Sequence, residues 1–163
     1  MNLKKIKFEE CLPLQNAQYF NLLLSMIKKA QTRIWVNLYY VNILPDKDIN
    51  YLSRELFEII QQKVIDGLNI KILLGTKDFE SSLEISNRVV QKYLEQLGVP
   101  CKLYKGQKIF SHSKYILIDN DISIIGSHNW SNRSLTIGVD DSVYIGSKEL
   151  SQYLSNDFFK NWK

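Results

Sequence analysis

The sequence has little of what builds disulfide scaffolds, metal clusters or membrane spans. Among 163 residues there are two cysteines, and His112 and His128 are the only histidines. Cys11 and Cys101 stand far apart and in no C-x-x-C spacing, so they read as reduced thiols, and no metal or other cofactor is expected. No uncharged apolar run approaches about 18 residues, so no helical membrane span is expected. The opening stretch MNLKKIKFEECLPLQ turns acidic where a signal peptide would turn apolar, which points away from export by a cleaved signal and toward a cytoplasmic protein. Repeats, low-complexity tracts and linkers are also missing, and the length suits one domain over residues 1–163.

What is present can build a core. Hydrophobic residues make up 45% of the chain, enough for a globular domain to fold unaided. The net charge of +4 suits a polyanionic substrate without demanding one. Asn16 to Gln31 places Tyr19, Leu22, Leu23, Met26, Ile27 and Ala30 at helical spacing, and a strand follows from Arg33 to Val41. A second amphipathic helix carries Leu52, Leu56, Ile59, Ile60 and Val64 and stops at Gly67; Ile70 to Leu74 is a buried strand. A third helix runs from about Ser82 to Leu97 and ends at Gly98 and Pro100. The last, Ser147 to Trp162, has Ser147 as its cap and buries Leu150, Leu154, Phe158 and Trp162. Helices alternating with strands, with one hairpin near the end, give an α/β fold: a mixed β-sheet flanked by helices on both faces.

The chemistry is concentrated in HSKYILIDNDISIIGSHN. His112, Lys114, Asp119, Gly126, Ser127 and Asn129 spell H-x-K-x4-D-x6-G-S-x-N. Six specified positions recur by chance about once in 10⁷ to 10⁸ start points at ordinary residue frequencies. A histidine can attack phosphorus, a lysine can hold negative oxygens, and an amide and a hydroxyl can complete the cradle around a pentavalent transition state. With Asn120-Asp121 as a two-residue hairpin turn, His112 falls opposite Asn129 and Lys114 opposite Ser127. Strand alternation then sends all four to one side, and Ser113 and His128 to the other. On that reading His128 has a packing or surface role, and Asp119, out of phase with His112, holds the hairpin together or pairs with a basic neighbour.

The run resembles the HKD motif of the phospholipase D superfamily and matches it at every defining position. TRIWVNLYYV, DGLNIKILLG and YLEQLGVPCKLY are similar to that superfamily's strand and helix units. The resemblance implies a phosphodiesterase with His112, Lys114, Asn129 and Ser127 in the site, and Gly126 and Asp119 as framework of the motif. Family members usually carry an acid downstream in N-x-E; here the sequence reads Gly138-Val139-Asp140, so Asp140 takes that role by resemblance, orienting the imidazole, with Asp141 as its competitor. The family's active site uses two motifs and this chain has one. Single-motif members such as the small bacterial endonuclease build their site by homodimerisation, so a homodimer is implied.

Lys102, Lys105 and Lys108, interleaved with Tyr104 and Phe110, lead into the motif; they are either a guide for a phosphate backbone or a solvated lysine-rich loop. Arg133 and Lys77 are further candidates for a groove. Tyr39 and Tyr40 end the first strand, where burial in the core is expected ahead of an approach to the site. The expected activity is metal-independent hydrolysis of DNA or RNA phosphodiester bonds through a phosphohistidine. The alternatives are a phospholipid phosphodiesterase of the same chemistry and a non-catalytic nucleic-acid-binding or effector module.

Overall fold

The computed structural model describes residues 5–43, 52–76, 82–104 and 111–162. Its centre is β2 (Arg33–Leu38), which reads RIWVNL and is buried on both faces beyond its first residue. A strand so apolar on both sides must be covered twice, and helices supply the cover. β2 pairs in parallel with β3 (Asn69–Leu74), and β3 in parallel with β4 (Cys101–Leu103). The crossovers are α2 (Leu52–Ile65) and α3 (Ser82–Gln96). On its other edge β2 pairs antiparallel with β5 (Tyr115–Ile118), which continues through β6 (Ile122–Gly126) and β7 (Asp141–Gly146) to β1 (Glu10–Gln15). The sheet is therefore seven-stranded and mixed, in the order β1-β7-β6-β5-β2-β3-β4.

Helix α1 (Ala17–Lys29), with α2, α3 and the short α4 (Asn132–Thr136), covers one face. Leu23, Ile27, Leu56, Phe57, Ile60, Val90 and Leu94 lose all solvent contact there, each worth roughly 1.5–3 kcal/mol of transfer free energy. The other face is closed by α5 (Lys148–Trp162), where Phe158 seals Trp35, Leu73, Tyr115 and Leu117. The Ser147 cap is present, its Oγ accepting from Leu150 N at 3.2 Å, while Leu150 and Leu154 are only half-buried. Gly67 and Gly98 end α2 and α3 at φ of 86° and 69°, the left-handed conformation glycine adopts at little cost.

The hairpin differs from the two-residue turn expected at Asn120-Asp121. Ile118 pairs with Ile122, so the loop has three residues, Asp119 to Asp121, and the whole register moves by one. The cause lies at Asp119, whose φ is 51°. Its carboxylate accepts hydrogen bonds from the backbone of Gln31, Thr32 and Arg33 and from Thr32 Oγ1, in the loop after α1 and at the first residue of β2. Those bonds and the left-handed turn take Asp119 out of the ladder. A one-residue slip exchanges the faces of a strand, so Lys114 lies opposite Gly126, not Ser127.

Candidate active site

Since alternation does not bring the motif residues together, something else must. The ladder stops at Gly126, and the chain leaves the sheet through Ser127, His128 and Asn129 before entering α4. Gly126 permits this: a Cβ there would lie 2.0 Å from Ser142 Oγ and 2.4 Å from Asp141 O, so β7 approaches as closely as it does only because the side chain is absent. Ser127 is then gripped from β7, its N–H donating to Asp141 O at 2.9 Å and its Oγ accepting from Asp141 N at 3.0 Å.

Asp140 organises this turn. Its Oδ1 accepts from Ser127 Oγ and its Oδ2 from Ser134 Oγ, both at 2.6 Å. Ser134 Oγ in turn accepts from Asn129 N at 3.0 Å. Thus one carboxylate fixes both Ser127 and, through Ser134, the backbone of Asn129. Burial alone would raise its pKa, but the bonds from Ser127 and Ser134 and the nearby positive charge of His128 and Lys114 hold it below the usual carboxylate range. Of the two candidate acids, Asp140 turns its carboxylate into the cluster and Asp141 engages Ser127 through its backbone. The Asn129 Oδ1 atom is buried without a hydrogen-bond partner among the described residues.

His112 and Lys114 arrive from the segment that leads into β5. Lys114 is buried to 7% exposure, and its Nζ donates to His112 O at 2.9 Å and lies 3.4 Å from His112 Nδ1. The ammonium also sits 5.2 Å from the centre of the Tyr39 ring, and that ring lies 4.4 Å from the exposed imidazole of His112. Desolvation and then the charge of Lys114 lower the His112 pKa, which favours a neutral, nucleophilic imidazole; desolvation also lowers that of Lys114, partly offset by Asp140.

Tyr39 and Tyr40 correct the expectation of core burial: both are only half-buried, because β2 ends at Leu38 and the chain turns out beside the motif. Tyr40 O accepts from Trp130 N at 3.2 Å, and Asn42 N donates to Trp130 O at 2.8 Å. Asn87 of α3, fully buried, donates to Tyr39 O and Gly75 O and accepts from Val41 N. Sequence reasoning passed over Asn87, Ser134 and Ser142. Asn87 had a signal: it falls in phase with Leu83, Val90 and Leu94, a polar side chain on an apolar stripe.

His128 is a different kind of residue. It is 1% exposed, stacked on Tyr19 at 4.2 Å, and hydrogen-bonded through Nδ1 to Ser142 Oγ at 2.7 Å. It packs. Arg133 is exposed and lines a cleft of about 220 Å³ with Tyr40, Asn42, Ser131 and Asn132. Lys102 is tied to the end of α5, its Nζ donating to Trp162 O at 2.7 Å. Lys77, Lys105, Lys108 and Phe110 lie outside the described residues.

Residues 23–162 match the family described as cardiolipin synthase, PLD-like domain. Cardiolipin synthase 2 of Bacillus cereus is 25% identical over 138 residues, covering 85% of this chain and 25% of that protein. The cardiolipin synthase of Halalkalibacterium halodurans is 27% identical over 84% of this chain and 25% of its own length. The chain thus spans about a quarter of the curated relatives it matches. Among solved structures, the phospholipase D family member Nuc of Salmonella typhimurium superposes with a TM-score of 0.73 at 18% identity, covering 94% of this chain and 95% of that one. NucT of Helicobacter pylori gives 0.72 at 17% identity over 93% and 94%. The phosphatidylserine synthase of Haemophilus influenzae gives 0.67 at 14% identity, over 89% of this chain and 36% of that one. With its motif gathered at the open end of β5 and β6 and a family match over most of its length, the chain belongs to the phospholipase D-like family.

Proposed function

We propose that the chain is a phosphodiesterase that hydrolyses nucleic acid at the interface of a homodimer. The observation that carries this is the contrast between its two histidines: His112 is exposed beside Lys114 with a lowered pKa, and His128 is sealed in the core. Phosphodiester hydrolysis by this route needs one imidazole to attack and another to protonate the leaving oxygen. These 163 residues carry one exposed histidine, and the second imidazole is taken to be His112 of another copy, placed by a two-fold axis near the phosphate.

A neutral His112 attacks phosphorus; the bond from phosphorus to nitrogen forms as that to the leaving oxygen breaks, and the partner's imidazolium protonates that oxygen. The partner's imidazole, now neutral, takes a proton from water. The resulting attack forms a new bond to oxygen, breaks the bond to His112 and regenerates both groups. Lys114 and the Asn129 amide stabilise the equatorial oxygens, with Ser127 and Asp140 holding the turn that presents them. Because these residues supply both nucleophile and cation, the reaction proceeds without a metal ion.

Nucleic acid is favoured by the net charge of +4, by the exposed Arg133 in a cleft next to the site, and by end-to-end superposition on Nuc and NucT. Lipid phosphodiester chemistry is the second reading, favoured by the cardiolipin synthase relatives. Labelled DNA, labelled RNA and phospholipid vesicles incubated in parallel with the purified protein in excess EDTA separate the two. Cleavage of nucleic acid alone is expected, and it should weaken steeply with salt as phosphate contacts are screened. Turnover of lipid alone would overturn the nucleic-acid reading, and a strict need for added Mg²⁺ would overturn the metal-free mechanism.

A further inference from the structure

Two clefts flank the motif and share one aromatic side chain. The first, about 280 Å³, is lined by Tyr39, Tyr40, Ser82, Leu83 and Asn129, so it opens directly onto the site. The second, about 220 Å³, is lined by Tyr40, Asn42, Ser131, Asn132 and Arg133. Tyr40 stands between them. Its backbone carbonyl accepts from Trp130 N in the segment that follows the motif, and the preceding Tyr39 carbonyl accepts from Asn87, so the main chain on both sides of the ring is held by hydrogen bonds.

The lining decides the ligand. A lipid chain leaving the reacting phosphate would need an apolar trough; the first cleft, with Tyr39, Tyr40 and Leu83, is the more apolar of the two, and the second sets the guanidinium of Arg133 beside the Tyr40 ring. A flat ring next to a cation is what a nucleotide uses: the base stacks and the phosphate pairs. In a duplex the base faces are already stacked on their neighbours, so only an unpaired base can reach the ring.

We propose that Tyr40 is the stacking platform for the nucleobase next to the scissile phosphate, that Arg133 takes the following phosphate, and that this subsite selects single-stranded nucleic acid. The proposal rests on the nucleic-acid reading above. Binding to a His112→Ala protein, which keeps the clefts and removes turnover, tests it. The probes are an end-labelled single-stranded oligonucleotide, its duplex, and an oligomer of equal length lacking bases. With Tyr40 intact, the single strand should bind more tightly than either the duplex or the base-free chain. Tyr40→Ala should weaken the single strand by about 5- to 100-fold and close its gap with the base-free chain, and Tyr40→Phe should keep the gap. If Tyr40→Ala preserves the gap, or the duplex binds best, the subsite is wrong although the protein still binds nucleic acid. If the protein with Tyr40 intact binds none of the three, the nucleic-acid reading itself fails and the subsite with it.

Discussion

The two ends of the hairpin formed by β5 and β6 are built on opposite principles. At the closed end, the Asp119 carboxylate accepts from four donor groups on Gln31, Thr32 and Arg33, and the turn is locked to the chain that enters β2. At the open end the ladder stops, the imidazole of His112 is exposed, and Asn129 Oδ1 is buried with no partner among the described residues. The closed end ties a carboxylate into the backbone and serves stability; the open end carries the exposed imidazole beside the Lys114 ammonium, where a substrate phosphate can meet both. Substitutions at the two ends should therefore move different observables.

The largest effect is expected at the open end. His112→Ala should lower turnover by about 10⁴-fold or more and leave the melting temperature unchanged. His128→Ala should do the reverse, keeping most activity while costing about 2 kcal/mol of stability through the lost stack on Tyr19. Equal losses of activity from both would erase the distinction. Lys114→Ala or Asn129→Ala should cost about 10² to 10³-fold in kcat, the usual worth of a single charge-stabilising donor.

At the closed end, Asp119→Ala should cost about 1–3 kcal/mol of stability and little activity. Asp119 has a folded-state pKa below the ordinary carboxylate value: burial opposes this, and the bonds from Thr32, Gln31 and Arg33 outweigh it. Its contribution is therefore present above the unfolded-state pKa and disappears as pH falls through the folded-state one. Denaturant melts of wild type and Asp119→Ala should differ at pH 7 and converge in strong acid. A constant difference would mean the loss is packing, not charge.

How far the sequence carried this comparison differs between the ends. His112, Lys114 and Asn129 were legible because their spacing is rigid and their residue types share one chemistry. The register was not, because Asp119 is pulled from the ladder by residues 86 to 88 positions earlier in the chain, which no local turn rule contains. α1, α2, α3 and α5 were readable from apolar periodicity. β1 and β7 were not: ECLPLQ buries only Leu14, and DSVYIG is mostly half-buried, so neither shows alternation. α4 is five residues long, too short for any period to register. Tyr39 was misjudged since the end of β2 looks like core until its partner, the imidazole of His112, is seen beside it.

A smaller effect sharpens the account of the open end. Because desolvation and Lys114 lower the pKa of His112, the nucleophile stays neutral at pH values below the ordinary imidazole range, and it is lost only as pH falls through the depressed value. The acid limb of the profile of kcat/KM against pH should lie below about 6.5. Lys114→Met should move that limb upward. An acid limb already above that value in the wild type would contradict the electrostatic reading.

The central claim is that one site is made from two copies of His112. Purified mixed dimers, one wild-type subunit and one His112→Ala subunit carrying different tags, test it most directly in single-turnover cleavage. The wild-type subunit can still supply the nucleophile, but its partner cannot protonate the leaving oxygen, so activity should fall far below half of the wild-type dimer. Half-normal activity, or a fully active monomer, would show that each chain carries a complete site and contradict the shared one.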